Sequence, residues 1–169
     1  MGRMSTKEGK TVYQIAREDL KISREKASEA LGCSAYRLEH IENGKTAIIP
    51  QDVVMMAELY KQPELCNYFC THDCAIGEKY IKEVKVKELT QIVLEMLATL
   101  NAIDKKKERL IEISADGIIS DDEIQDFITI QEELEHISMA VDSLKLWIEK
   151  TKSDGSFDRE AYERLLNNR

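Results

Sequence analysis

The sequence has only two prolines, Pro50 and Pro63, so little in it opposes long helices, and most of the chain reads with helical rather than strand periodicity. It has no stretch approaching the roughly 18 to 20 consecutive apolar residues that a spanning helix needs. Its first residues, Met1 to Lys10, are polar and lack the apolar segment of a leader peptide. A cytoplasmic chain with no membrane partner is expected. Blocks rich in proline and glycine, or in charge of one sign, are missing too, which excludes fibrous and largely disordered classes. No nucleophile stands beside a placed base, no glycine-rich loop could cradle phosphate, and no pair of acids is set for general acid–base work. An enzyme is therefore not expected.

What is present is a chain of 169 residues, 43% hydrophobic and 33% charged, with a net charge of -8. That length fits one compact domain or two small ones. The charge is uneven: residues 1–62 hold 10 Lys+Arg against 9 Asp+Glu, and residues 63–169 hold 14 against 23. The first third could face phosphate, whereas the remainder would be repelled by it.

Residues 11–62 break into short helical pieces separated by Ser, Gly and Pro signals. The first is expected over Thr11 to Leu20, turning Val12, Ile15, Ala16 and Leu20 inward. The second runs from Arg24 to Leu31 behind a Ser23 cap and stops at Gly32; the third runs from Ala35 to Asn43 behind a Ser34 cap and stops at Gly44. Pro50 opens a fourth, whose Val53, Val54, Ala57 and Leu59 complete a small core. The segment from Ser23 to Gly44 thus has the spacing of a helix-turn-helix, with Leu31, Leu38 and Ile41 inward and a polar face outward.

Over residues 11–62 the sequence resembles the Cro/C1-type (XRE) family of DNA-binding domains. The resemblance rests on Ile41-Glu42-Asn43-Gly44-Lys45 closing the third helix and on Arg17 one helix earlier, where the family places the arginine that pairs with this glutamate. It implies a lambda-repressor-like domain of four or five helices, an Arg17–Glu42 structural ion pair, and double-stranded DNA as partner. It also implies that the third helix enters the major groove with Ser34, Ala35, Tyr36 and Arg37 at the base edges, His40 one turn on, Asn43 at its end, and Lys45 and Thr46 near phosphate. Arginine can fork to guanine or hold phosphate, and alanine can touch a thymine methyl. Arg24 stands where the family usually has glutamine and would bind phosphate at a helix N-terminus. The chain departs from the pattern at Ala27-Ser28, where the family has Leu-Ala, and at Glu39, an acid on the DNA-facing side.

Cys66, Cys70 and Cys74 recur every fourth residue with His72 among them, a spacing that shares one helix face. Reduced thiols packing a junction are the expected reading; the alternative is a metal or redox site, which needs four converging ligands for zinc. No cofactor is otherwise implied. Residues Glu112 to Glu123 resemble an EF-hand loop through Ser114, Asp116, Gly117, Ile119, Ser120 and Glu123, but Glu112 replaces the family's first aspartate. That segment is expected to be an αα-hairpin turn, with Ser120 capping the helix that follows.

On either side of it, Leu89, Val93, Met96, Leu100, Ile103 and Leu110, and then Phe127, Ile130, Leu134, Ile137, Val141, Leu144 and Ile148, alternate at spacings of three and four. Two helices of roughly 30 residues, about 45 Å long, are expected to pair as an antiparallel hairpin. A short helix from Asp158 to Leu166 would dock through Phe157, Ala161, Tyr162, Leu165 and Leu166. Ile92, Leu97, Ile111, Ile124, Ile128 and Trp147 widen the apolar stripes beyond one seam, which points to dimerisation. The expected organisation is all-α: a flexible N-terminus over 1–10, a DNA-binding domain over 11–62, a cysteine-containing junction over 63–78 and a helical dimerisation or sensing domain over 79–169. The expected function is a dimeric, sequence-specific transcriptional regulator, in its simplest form a repressor. The alternative is an antitoxin-like or adaptor protein whose acidic C-terminal helices bind a protein partner.

Overall fold

The computed structural model describes residues 9–156 and 158–168. Residues 1–8 of the expected flexible N-terminus and Phe157 lie outside the described residues. The protein is all-α: among the described residues there are ten helices and no strand. They are α1 (Val12–Asp19), α2 (Arg24–Ala30), α3 (Ala35–Glu42), α4 (Pro50–Tyr60), α5 (Glu64–His72), α6 (Ala75–Tyr80), α7 (Leu89–Asp104), α8 (Lys107–Ser114), α9 (Ile124–Asp154) and α10 (Arg159–Asn167). None is long and apolar enough to cross a membrane. The chain divides into two compact units, one of residues 1–83 with 149–169 and one of residues 84–148.

In the first unit, local side-chain chemistry sets the helix starts. The hydroxyls of Thr11, Ser23 and Ser34 accept the backbone N–H of Gln14, Lys26 and Arg37, each satisfying a donor that the first helical turn leaves without a partner. Pro50 occupies the start of α4, where a missing N–H costs nothing. The ends of α1 to α4 share one device, in which a left-handed residue lets the next N–H reach back five residues. The bonds are Ile22 N–H to Arg17 O, Cys33 N–H to Ser28 O, Lys45 N–H to His40 O and Gln62 N–H to Ala57 O. Gly32 and Gly44 take the left-handed position at two of these ends, and Lys21 and Lys61 take it at the other two.

The core of this unit gathers Tyr13, Ala16, Ala27, Leu31, Leu38, Ile41, Val53, Met56, Ala57, Tyr60, Leu65 and Phe69. Of the expected inner residues, Val12, Ile15 and Leu59 are only half-buried and two are exposed. Leu20 is 42% and Val54 is 49% exposed, because the buried arcs of α1 and α4 are rotated toward Tyr13 and toward Met56 and Tyr60. Met56 and the small pair Ala27 and Ser28 are all buried.

The expected junction over 63–78 is instead two helices belonging to this unit. Leu65 and Phe69 of α5 enter the core, with Cys66, Cys70 and Cys74 half-buried against it. α6 comes so close to α5 that a Cβ on Gly77 would lie 2.1 Å from the carbonyl oxygen of Cys70. α10 and the end of α9 also cluster with this unit rather than with residues 84–148; Lys150 Nζ donates to Lys61 O at 2.8 Å. α10 is capped by Asp158, whose carboxylate accepts the Ala161 N–H at 2.9 Å. Leu165 and Leu166, expected to dock, are exposed.

In the second unit the first of the two expected long helices is broken. Residues 81–88 are not helical, and the chain interrupts itself at Lys105 and Lys106 between α7 and α8. Past the break, Lys107 reaches back to Asp104 at 2.9 Å. α9 is continuous for 31 residues. Arg109 of α8 pairs with Asp126 of α9 at 2.7 Å. The expected seam is only partly enclosed: Ile130 is buried, but Leu89, Val93, Leu100, Leu134 and Val141 are exposed, whereas Ile92, outside that seam, is fully buried.

Candidate nucleic-acid interface

The rear of α3 is held by an ion triad. Glu42 is completely buried, and its carboxylate accepts from Arg17 Nε at 2.6 Å and Arg17 Nη2 at 2.9 Å. Arg24 Nε adds a third bond to the same carboxylate at 3.0 Å. A forked guanidinium matches a carboxylate in two parallel bonds, and Arg17 spends a further N–H on Ile22 O at 2.8 Å. The bond to Glu42 raises the affinity of Arg17 for its proton. Tyr60 lies in the same field; burial, with Glu42 adding to it, pushes its phenol up to about 12. With Leu38 and Ile41 also buried, one face of α3 is fixed and the other is left to solvent.

That other face carries the residues expected at DNA. Tyr36 is 70% exposed, Ser34 and Arg37 are exposed, and Ala35 and His40 are half-buried. Ser34 is committed to the cap, its Oγ accepting the Arg37 N–H at 3.1 Å. Tyr36 and His40 lie ring to ring, with centroids 3.9 Å apart. Nδ1 of His40 sits 2.9 Å from the Tyr36 carbonyl. A carbonyl only accepts, so Nδ1 is the donor in this bond. Asn43, Lys45 and Thr46 are exposed beyond the end of α3, where backbone bonds from Lys45 and Thr46 to His40 O at 2.8 and 3.2 Å fix them.

Two expected contacts have protein partners. Arg24, assigned to phosphate, is turned onto Glu42 and is only partly exposed. Arg37 donates from Nη2 to Asp52 in the first turn of α4. Sequence reasoning missed Asp52. An acid in a helix's first turn is ordinarily explained by the helix dipole alone, and no sequence spacing links it to an arginine fifteen positions earlier.

The structure does not bring the cysteines and His72 into a ligand set. All four cysteines are free, and no group of three or more His, Cys, Asp or Glu side chains able to hold a metal occurs among the described residues. Burial, with the neighbouring Cys70, raises the Cys66 thiol, which disfavours the thiolate form. His72 stacks on Tyr68 at 4.2 Å. In the 112–123 loop the Glu123 carboxylate is occupied by the Ser120 backbone N–H at 3.0 Å and hydroxyl at 2.6 Å. This is the acidic half of a capping box. Ser120 was expected to accept a helix N–H, but its hydroxyl donates instead, and α9 starts after it at Ile124.

No family model, curated protein or solved structure matches this chain.

Proposed function

We propose that the chain is a cytoplasmic, non-enzymatic, sequence-specific DNA-binding regulator of the Cro/C1 type, in its simplest form a repressor, which acts as a dimer and reads the major groove with α3. The observation that carries this reading is the two-sidedness of α3. Its rear is locked by Glu42, Arg17 and Arg24, while Tyr36, Arg37 and His40 stand along its outer face with unused hydrogen-bonding groups. A rigid helix with a polar outer edge is what base readout requires. The Asp52 contact uses one edge of the Arg37 fork and leaves the other N–H groups to face guanine or phosphate.

Selection from a random duplex pool at about 150 mM salt, where sequence-independent attraction is weak, tests it. An enriched inverted repeat with half-sites about 34 Å apart, or a multiple of that, is the expected result. Arg37→Ala should then cost about 1–3 kcal/mol on the selected site and little on unrelated duplex. A folded protein that enriches nothing overturns the DNA reading in favour of the adaptor or antitoxin-like one.

A further inference from the structure

The second unit leaves one apolar surface whose geometry and charge select its occupant. At about 100° per residue, Leu89, Leu100, Val93 and Leu97 fall within an arc of roughly 80° on α7. All four are between 38% and 52% exposed. They adjoin the helix's buried side, where Ile92 is fully enclosed and Met96 and Ile103 are half-buried. The stripe spans about three turns, a length that a facing helix could cover with interlocking side chains.

Charge narrows the choice of partner. α7 contains no lysine or arginine and only two acids, Glu95 and Asp104; Glu95 is bonded to Lys87 at 2.6 Å. An interface with a two-fold axis sets each patch against its own copy, so any net charge on it repels itself. The α7 stripe carries almost none.

We propose that the α7 stripe is the self-association surface of this protein, paired antiparallel with α7 of a second copy about a point between Val93 and Leu97. This rests on the dimer in the reading above and names its surface. Parallel helices would place the two Asp104 carboxylates side by side. Antiparallel helices separate them and bring each toward the residues just ahead of the partner's α7, where Lys85 stands.

The test is the mass of the full chain in solution without DNA, by sedimentation equilibrium from about 1 to about 100 µM, since a dimer's population follows concentration. The expected result is twice the 19.4 kDa of one chain. The double variant L97E/L100E should fall to one chain's mass with an unchanged far-ultraviolet spectrum, because both side chains already meet water. Ile111→Glu, at an exposed apolar position on α8, should leave the dimer intact. If the double variant loses helix, Asp104→Lys provides the second probe: it should weaken the dimer several-fold, and K85E added to it should restore the mass. A monomeric wild type, or a dimer that survives a folded L97E/L100E, overturns the proposal; absence of rescue overturns the antiparallel pairing. None of these readouts uses DNA, so their failure is separate from failure of the selection experiment.

Discussion

In residues 9–83 five short helices, α1 to α5, turn apolar side chains to one centre: Tyr13, Leu38, Val53, Met56 and Tyr60 are all but sealed from water. In residues 84–148 fewer apolar side chains are enclosed, although α7 and α9 are longer. Ile92, Ile113 and Ile130 are buried, while Leu94, Leu97, Ile111 and Ile118 are more than half exposed. A long amphipathic helix presents its stripe over many turns and needs an equally long partner to cover it. Short helices at steep angles can close a small core by themselves. The first unit accordingly bears the marks of a self-sufficient scaffold, with capped helices and an ion triad behind α3, and the second leaves apolar stripes open to solvent.

The largest expected effect separates the units most sharply. Glu42→Ala would leave the buried Arg17 and the partly exposed Arg24 without their shared carboxylate, and losing one partner of the buried Arg17–Glu42 pair costs about 3–5 kcal/mol. Hydrogen exchange should show α1 to α4 losing protection while α9 keeps its own. Glu42→Gln retains the shape and two acceptor positions fewer than a carboxylate offers, and should fall between wild type and alanine. If exchange in α1 to α4 is unmoved by Glu42→Ala, the triad does not hold the first unit together.

The second effect asks whether α5 and α6 belong to that scaffold. Gly77→Ala forces a methyl group to within 2.1 Å of a backbone carbonyl, so one helix must shift. Overpacking of this kind costs about 1–3 kcal/mol. Ile76→Ala, at an exposed neighbour, should be nearly neutral. Equal denaturation midpoints for the two variants would show that α6 is not held against α5.

These results bear on what the sequence makes legible. The starts of α1 to α4 are readable because Thr11, Ser23, Ser34 and Pro50 act locally, on N–H groups three residues away or less. The positions of Arg17 and Glu42 are readable through the family resemblance, but the addition of Arg24 is not, since Arg24 reaches Glu42 only after α2 and α3 have folded together. α5 and α6 escape notice because neither start carries a side-chain cap and because the evenly spaced cysteines invite a chemical reading. The exposure of Leu97 and Leu100 is not legible from spacing: a heptad pattern states that a seam exists, not whether its partner lies in the same chain.

The smallest expected effect concerns the helix ends, and it raises stability. α1 to α4 finish with the same reach-back bond, yet two of the left-handed positions are glycine and two are lysine, at φ 57° for Lys21 and 55° for Lys61. A side chain bearing Cβ meets the carbonyl oxygen that follows it in this conformation, and glycine does not. The backbone groups that matter, including Lys61 O where Lys150 donates, survive substitution. Lys21→Gly and Lys61→Gly should therefore each gain about 1 kcal/mol, with asparagine, which tolerates the same region, gaining less. Because both sites lie in residues 9–83, thermal unfolding followed by hydrogen exchange should show the gain there and none in residues 84–148. A loss of stability at Lys61→Gly would mean that its aliphatic stem contributes more than its backbone strain costs, a result that assigns lysine a packing role at a position where conformation alone favours glycine.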